Sequence, residues 1–194
     1  MKTINKIKTI KILALLLTTM AVVTSCSNDD DPEPVNEEEV ITTITASLTP
    51  VGGGTTIILQ SQDLDGDGPN APTISVSGKF AANTTYNGSL DLLNETESPA
   101  ESITSEILEE DEEHQFFFNA TNSIATFDYA DSDSDGNPIG LEFTLTTTVN
   151  SGTGTISITL RHEPNKSAAG VINGDITNAG GETDISVSFA IEVE

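Results

Sequence analysis

One run of this chain sets carboxylates at the spacing a hard cation needs. It reads Asp131-Ser132-Asp133-Ser134-Asp135-Gly136-Asn137-Pro138-Ile139-Gly140-Leu141-Glu142. Calcium takes six to eight oxygen ligands at about 2.3–2.6 Å. Asp131, Asp133 and Asp135 alternate, so their carboxylates can turn toward one centre. Gly136 permits the sharp turn, the Asn137 carbonyl offers a further oxygen, and Glu142 can close the shell with two more. A shorter run, Asp63-Leu64-Asp65-Gly66-Asp67-Gly68-Pro69-Asn70, repeats the start of this pattern with Asp63, Asp65 and Asp67. It has Ile74 where the closing acid would stand, so Asn70 or an acid from elsewhere must complete it. Asp, Asn and Gly are also the residues that turns favour, and both runs read equally as polar hairpin turns.

The longer run resembles the calcium loop of EF-hand proteins over twelve residues. Its flanks, however, carry strand patterns, Phe127 to Ala130 and Leu141 to Leu145, and Pro138 stands at the eighth position, where paired EF-hands bridge. The loop is therefore expected on a β-hairpin, with calcium in a structural role and weakly held, as in extracellular modules. The cationic cluster that follows Leu160 is Arg161-His162-Glu163-Pro164-Asn165-Lys166. Arg161 and Lys166 could hold a carboxylate or phosphate, with His162 titrating near neutrality. A salt-bridged turn in a very acidic protein accounts for the same residues. His114, beside Phe116-Phe117-Phe118, reads as the start of a strand flanked by acids.

These loops must be held by strands, because period-two alternation dominates the chain. Ile185-Ser-Val187-Ser-Phe189-Ala-Ile191-Glu-Val193 has one apolar and one polar face, and Ile156 to Leu160 and Leu141 to Leu145 repeat the pattern. Strands are predicted near 40–49, 55–61, 73–80, 85–93, 115–120, 123–130, 140–149, 154–161 and 184–193, with a weaker one near 170–176. Turn signals include Gly52-Gly53-Gly54, Asn87-Gly88 and Gly180-Gly181. Many short β-branched strands with little helix predict a mainly β fold, an antiparallel Ig-like β-sandwich. One crossover helix is expected near 99–112. Ser98 and Glu101 form a capping box with Pro99 at the first helical position, and Ala100, Ile103 and Ile107 share a face. The five acids Glu109 to Glu113 crowd the negative end of the helix dipole, so that end frays unless a basic group neutralises it.

The N-terminus places the protein. Lys2, Lys6, Lys8 and Lys11 precede an apolar segment, Ile12 to Val23, too short to span a bilayer. Val23-Thr24-Ser25-Cys26 resembles the lipobox read by lipoprotein signal peptidase, which implies cleavage before Cys26 and a thioether-linked lipid on it. Stable anchoring takes more than one acyl chain. Residues 1–25 are read as the lipoprotein signal peptide, 26–39 as a lipidated acidic tether and 40–194 as the β-sandwich domain. Ser27-Asn28-Asp29-Asp30-Asp31 resembles the acidic export signal of surface lipoproteins in the Bacteroidota and implies display on the outer face of the outer membrane, with a spacer inside the periplasm as the alternative.

Losing residues 1–25 removes four of seven basic residues and no acid, leaving three against 31. So acidic a chain is a poor partner for nucleic acid or anionic headgroups. Cys26 is the single cysteine, so once it is lipidated, disulfides, thiolate zinc sites and cysteine catalysis are excluded. No nucleophile elbow and no glycine-rich phosphate loop is present, so no enzyme is expected.

The stretches from Asp91 to Phe117 and from Leu160 to Asp184 resemble a group of uncharacterised flavobacterial lipoproteins. The resemblance runs across most of the mature chain and implies no known activity. Some members carry the label "type 1 periplasmic binding fold superfamily", which implies two βαβ lobes, whereas the patterning here offers one helix. The function expected is a non-enzymatic, lipid-anchored surface protein that binds a protein or glycan, stiffened by calcium. The alternative is a small-ligand or metal-capturing accessory lipoprotein.

Overall fold

Alternation along the strands sorts side chains onto two faces, and the apolar face decides the architecture. The computed structural model describes residues 39–66 and 68–194. The segment read as a signal peptide, Cys26, the expected tether up to residue 38, and Asp67 lie outside the described residues. The strands are β1 (Thr43–Pro50), β2 (Ile57–Gln62), β3 (Thr73–Val76), β4 (Thr85–Asn94), β5 (Glu101–Ser102), β6 (His114–Ala120), β7 (Ala125–Tyr129), β8 (Glu142–Thr147), β9 (Gly152–His162) and β10 (Glu182–Val193). The larger sheet has the order β3-β2-β1-β4-β8-β7, with β5 added to β4; the smaller is β10-β9-β6. All these strand pairings are antiparallel. The fold is mainly β and has the two-sheet layering of a β-sandwich.

The core lies between the sheets. Ile44, Ala46 and Leu48 of β1, Leu90 and Leu92 of β4 and Phe143 and Leu145 of β8 are buried with Ile156, Ile158 and Leu160 of β9 and Phe189, Ile191 and Val193 of β10. Tyr129 Oη donates to Phe116 O at 2.6 Å, tying β7 of one sheet to β6 of the other. Asn87-Gly88, a turn signal in the sequence, lies inside β4. A Cβ at Gly88 would sit 2.5 Å from the Phe143 ring, so the glycine makes room for a core aromatic rather than for a turn.

The helix α1 spans Ile103–Glu109, shorter than the predicted 99–112. Its N-cap is Ser102, with no side-chain cap, not Ser98. The cause is β5: Glu101 and Ser102 pair with Asn94 and Leu93, and the ladder keeps the backbone extended until Ile103. Ile103 and Ile107 are buried, as their spacing predicts, while Ala100 is exposed. α1 does cross over, carrying the chain from the larger sheet to β6 of the smaller. The predicted strand near 170–176 is two 3-10 turns, Val171–Asn173 and Ile176–Asn178. Gly170 and Gly174, at φ 90° and 83°, put the chain in the left-handed region that a strand cannot use. The predicted strand 73–80 stops at Val76, and Phe80 instead bridges to Val193 in parallel.

Candidate metal centre

The Asp131 loop does connect two paired strands, β7 and β8. Two of its four carboxylates, those of Asp131 and Asp133, accept hydrogen bonds from the chain itself. Asp131 Oδ1 accepts from Gly140 N at 2.7 Å and Oδ2 from Glu142 N at 2.9 Å. Asp133 Oδ1 accepts from Asp135 N and Asn137 N at 3.1 and 2.8 Å. The Asn137 carbonyl accepts from Asp133 N at 2.8 Å. Asp135 and Glu142 are exposed. On the remaining Asp133 oxygen, Oδ2, sits the Lys166 ammonium, 2.9 Å away and as buried as its partner. Burial opposes the charge on Asp133, but the Lys166 ammonium and the Asn137 amide outweigh it and hold the carboxyl below the ordinary range. Lys166 Nζ also donates to Asp111 O, just past the end of α1. It is the basic group that the acidic helix end requires.

In the second loop, Asp65 Oδ2 accepts from both the backbone and the side-chain nitrogen of Asn70, at 3.3 and 2.7 Å. The Asn70 side chain leads the causes that lower the Asp65 pKa. Asp63 Oδ1 is buried without a hydrogen bond, and Asp67 lies outside the described residues. Arg161, His162 and Lys166 do not converge on one anion. Arg161 Nη1 donates to Thr183 Oγ1 at 2.7 Å, Lys166 holds Asp133, and His162 turns to a different set of groups.

That set is where the structure concentrates its unusual chemistry. β6 pairs with β9 so that His114 lies opposite His162, and their rings are 4.6 Å apart. Both sit at positions the alternation assigns to the core: His114 continues the inward face of Phe116, and His162 that of Leu160. They are 0 % and 5 % exposed. β10 supplies the third group. Its pairing with β9 shifts between Thr183 and Ile185, leaving Asp184 as the extra residue of a β-bulge. Strict alternation from Ile185 would turn Asp184 outward. The bulge re-aims it, and its side chain is almost fully buried beside both histidines. Gly181 makes this approach feasible: its φ is 67°, and a Cβ there would lie 2.1 Å from His162 O. Glu39, just before β1, is the fourth group.

The distances describe a small polar chamber. Asp184 Oδ2 is 3.9 Å from His114 Nε2, Asp184 Oδ1 is 3.9 Å from His162 Nδ1, and Glu39 Oε1 is 4.0 Å from His114 Nε2. His114 Nδ1 lies 3.1 Å from Glu110 O. A carbonyl can only accept, so Nδ1 carries the proton and the neutral ring points the lone pair of Nε2 at the carboxylates. Burial, and then the neighbouring His162, push the His114 pKa down and favour that neutral ring. Burial above all, followed by Glu106, Glu110 and Asp184, pushes Glu39 up to about 7. His114 Nε2, His162 Nδ1 and Glu39 Oε2 are buried without hydrogen bonds. A lone pair facing a carboxylate is repulsive unless a proton or a metal cation stands between them.

Four donors each about 2.1 Å from a zinc ion lie about 3.4 Å apart in a tetrahedron. The three separations above exceed that by roughly half an ångström; His114, His162 and Asp184 each offer one donor atom within 4.8 Å of the others, while Glu39 groups with His114 and Glu110. One orienting contact of a metal site is also in place: a histidine ligand normally donates its other ring N–H to a carbonyl or carboxylate. His114 does so to Glu110 O, whereas His162 Nε2 stands 3.7 Å from Glu113 Oε2, beyond hydrogen-bond distance.

The sequence pointed to His162 in another role and missed His114, Asp184 and Glu39 as a group. The available signal was parity: histidine stands twice where alternation calls for an apolar side chain. Elsewhere, a groove of about 310 Å³ between β6 and β7 is lined by Phe118, Phe127, Tyr129, Asp128 and Asn173. Compared with known proteins, the chain matches no family model, no curated protein and no solved structure.

Breaking a buried ion pair from one side costs about 3–5 kcal/mol. Lys166→Met should therefore lower the urea midpoint sharply, and millimolar calcium should restore part of the loss while leaving the wild type unmoved. Equal calcium responses in the two chains would show that Lys166 does not stand in for a cation in this loop.

Proposed function

We propose that this chain is a non-enzymatic lipoprotein, anchored through Cys26 and displayed at the cell surface, that captures a divalent transition metal between its two sheets. One observation carries the capture: His114 Nε2 and His162 Nδ1 are buried, lack hydrogen bonds and face carboxylates at 3.9–4.0 Å. Two imidazole nitrogens with carboxylate oxygens suit zinc and its neighbours better than calcium, which prefers an all-oxygen shell. The ligands would be His114, His162, Asp184 and Glu39. The location of the anchor rests on the signal and on the lipobox ending at Cys26. With 31 acids the surface draws cations toward the site.

Zinc titration by calorimetry on the mature chain should show one tight site. Loss of an orienting partner alone weakens a metal site about 10–100-fold, and His114→Ala, which removes a ligand, should cost at least as much. A wild-type chain indifferent to zinc would mean that the histidines are core residues, and would return the function to a surface module whose protein or glycan partner docks in the groove between β6 and β7. The anchor has its own check: the wild type should partition into detergent, and Cys26→Ser should not.

A further inference from the structure

The capture site uses one nitrogen of His162, and the other faces a second set of donors. His162 Nε2 lies 3.7 Å from Glu113 Oε2. The His162 side chain is 6 % exposed, while that of Glu113 is 55 % exposed. Glu163 completes the set: Glu113, His162 and Glu163 each offer one donor atom, all within 4.8 Å of one another. Glu163 is held there by an unusual backbone, with φ 48° and its N–H donating to Glu113 O at 2.7 Å. His162 is thus a wall with a donor on each side, one turned to a closed chamber and one to the surface.

We propose that Glu113, Glu163 and His162 Nε2 form an outer cation site that takes a divalent transition metal from solution and passes it, by way of His162, to the inner centre. The inference rests on the capture function proposed above. The two sites differ as a receiving and a holding site should. The outer one has two exposed carboxylates and one nitrogen, with water free to complete its shell, so it exchanges quickly and binds weakly. The inner one has two nitrogens and two carboxylates shielded from water, so it binds tightly and is slow to reach unaided. With the ion on Nε2 the ring proton is on Nδ1, toward Asp184; with the ion on Nδ1 it is on Nε2, toward Glu113. Proton and ion exchange sides, and no proton or electron is consumed.

Cobalt(II) is a suitable probe, because its visible spectrum reports its ligands. Stopped-flow loading of the mature chain should be slowed about tenfold by Glu163→Gln, within the range that local charge governs association rates. The final spectrum and the affinity of the tight site should not change, because Glu163 is not an inner ligand. Glu194→Gln, at the opposite end of the small sheet beside Lys79, removes the same charge and should load like the wild type. In a His114→Ala background, a weak cobalt site should survive and be lost on adding Glu163→Gln. Tight loading at an unchanged rate in Glu163→Gln would overturn the outer site and leave the capture function standing. A wild-type chain with no tight cobalt site would overturn both.

Discussion

A protein this acidic must still bury carboxylates at the end of its sandwich, and it has almost no cations to put beside them. The described residues contain three basic side chains, Lys79, Arg161 and Lys166. Lys79 pairs with Glu192 and Glu194 on the surface, Lys166 with the buried Asp133, and Arg161 with a threonine hydroxyl. None of the three pairs with Glu39, whose carboxyl is left among acids and is pushed up to about 7, chiefly by burial. A buried charge must be paired, bound to metal or neutralised by a proton. That constraint links the two acidic regions of the molecule. In one, the chain supplies its own ammonium. In the other, two imidazoles face carboxylates, and the proposed metal ion would stand between them.

Strand geometry does the arranging. Histidines 114 and 162 are far apart in sequence and meet because β6 lies against β9 in one register. A slip by one residue would turn either histidine to the other face. Asp184 reaches them because β10 carries one extra residue, and Glu39 because β1 brings the start of the domain to the same end. α1 contributes through its last turn: Glu110 O orients His114, and Lys166 caps the same turn through Asp111 O.

Much of the fold was legible in the chain and little of the site. Alternation located nine strands, since Ile, Val and Thr at every second position have few other uses. It failed where tertiary pairing overrode local preference. The capping box at Ser98 lost to the two-residue ladder of β5, Gly170 and Gly174 broke the expected strand near 170–176, and Asn87-Gly88 proved to be space for Phe143. The loops singled out for chemistry were correctly placed between strands, but no local pattern could show that Lys166 would settle on Asp133. The histidine pair required strand order, and Asp184 required a bulge, which breaks the very periodicity used to read strands.

The inner centre is the claim on which the rest stands, and X-ray absorption at the zinc edge of the zinc-loaded mature chain examines it directly. The account predicts about four nitrogen and oxygen donors near 2.0–2.1 Å, with the outer-shell scattering of two imidazoles, falling to one in His162→Ala. A shell of six oxygens without imidazole scattering would contradict it, and would place the ion among surface carboxylates instead.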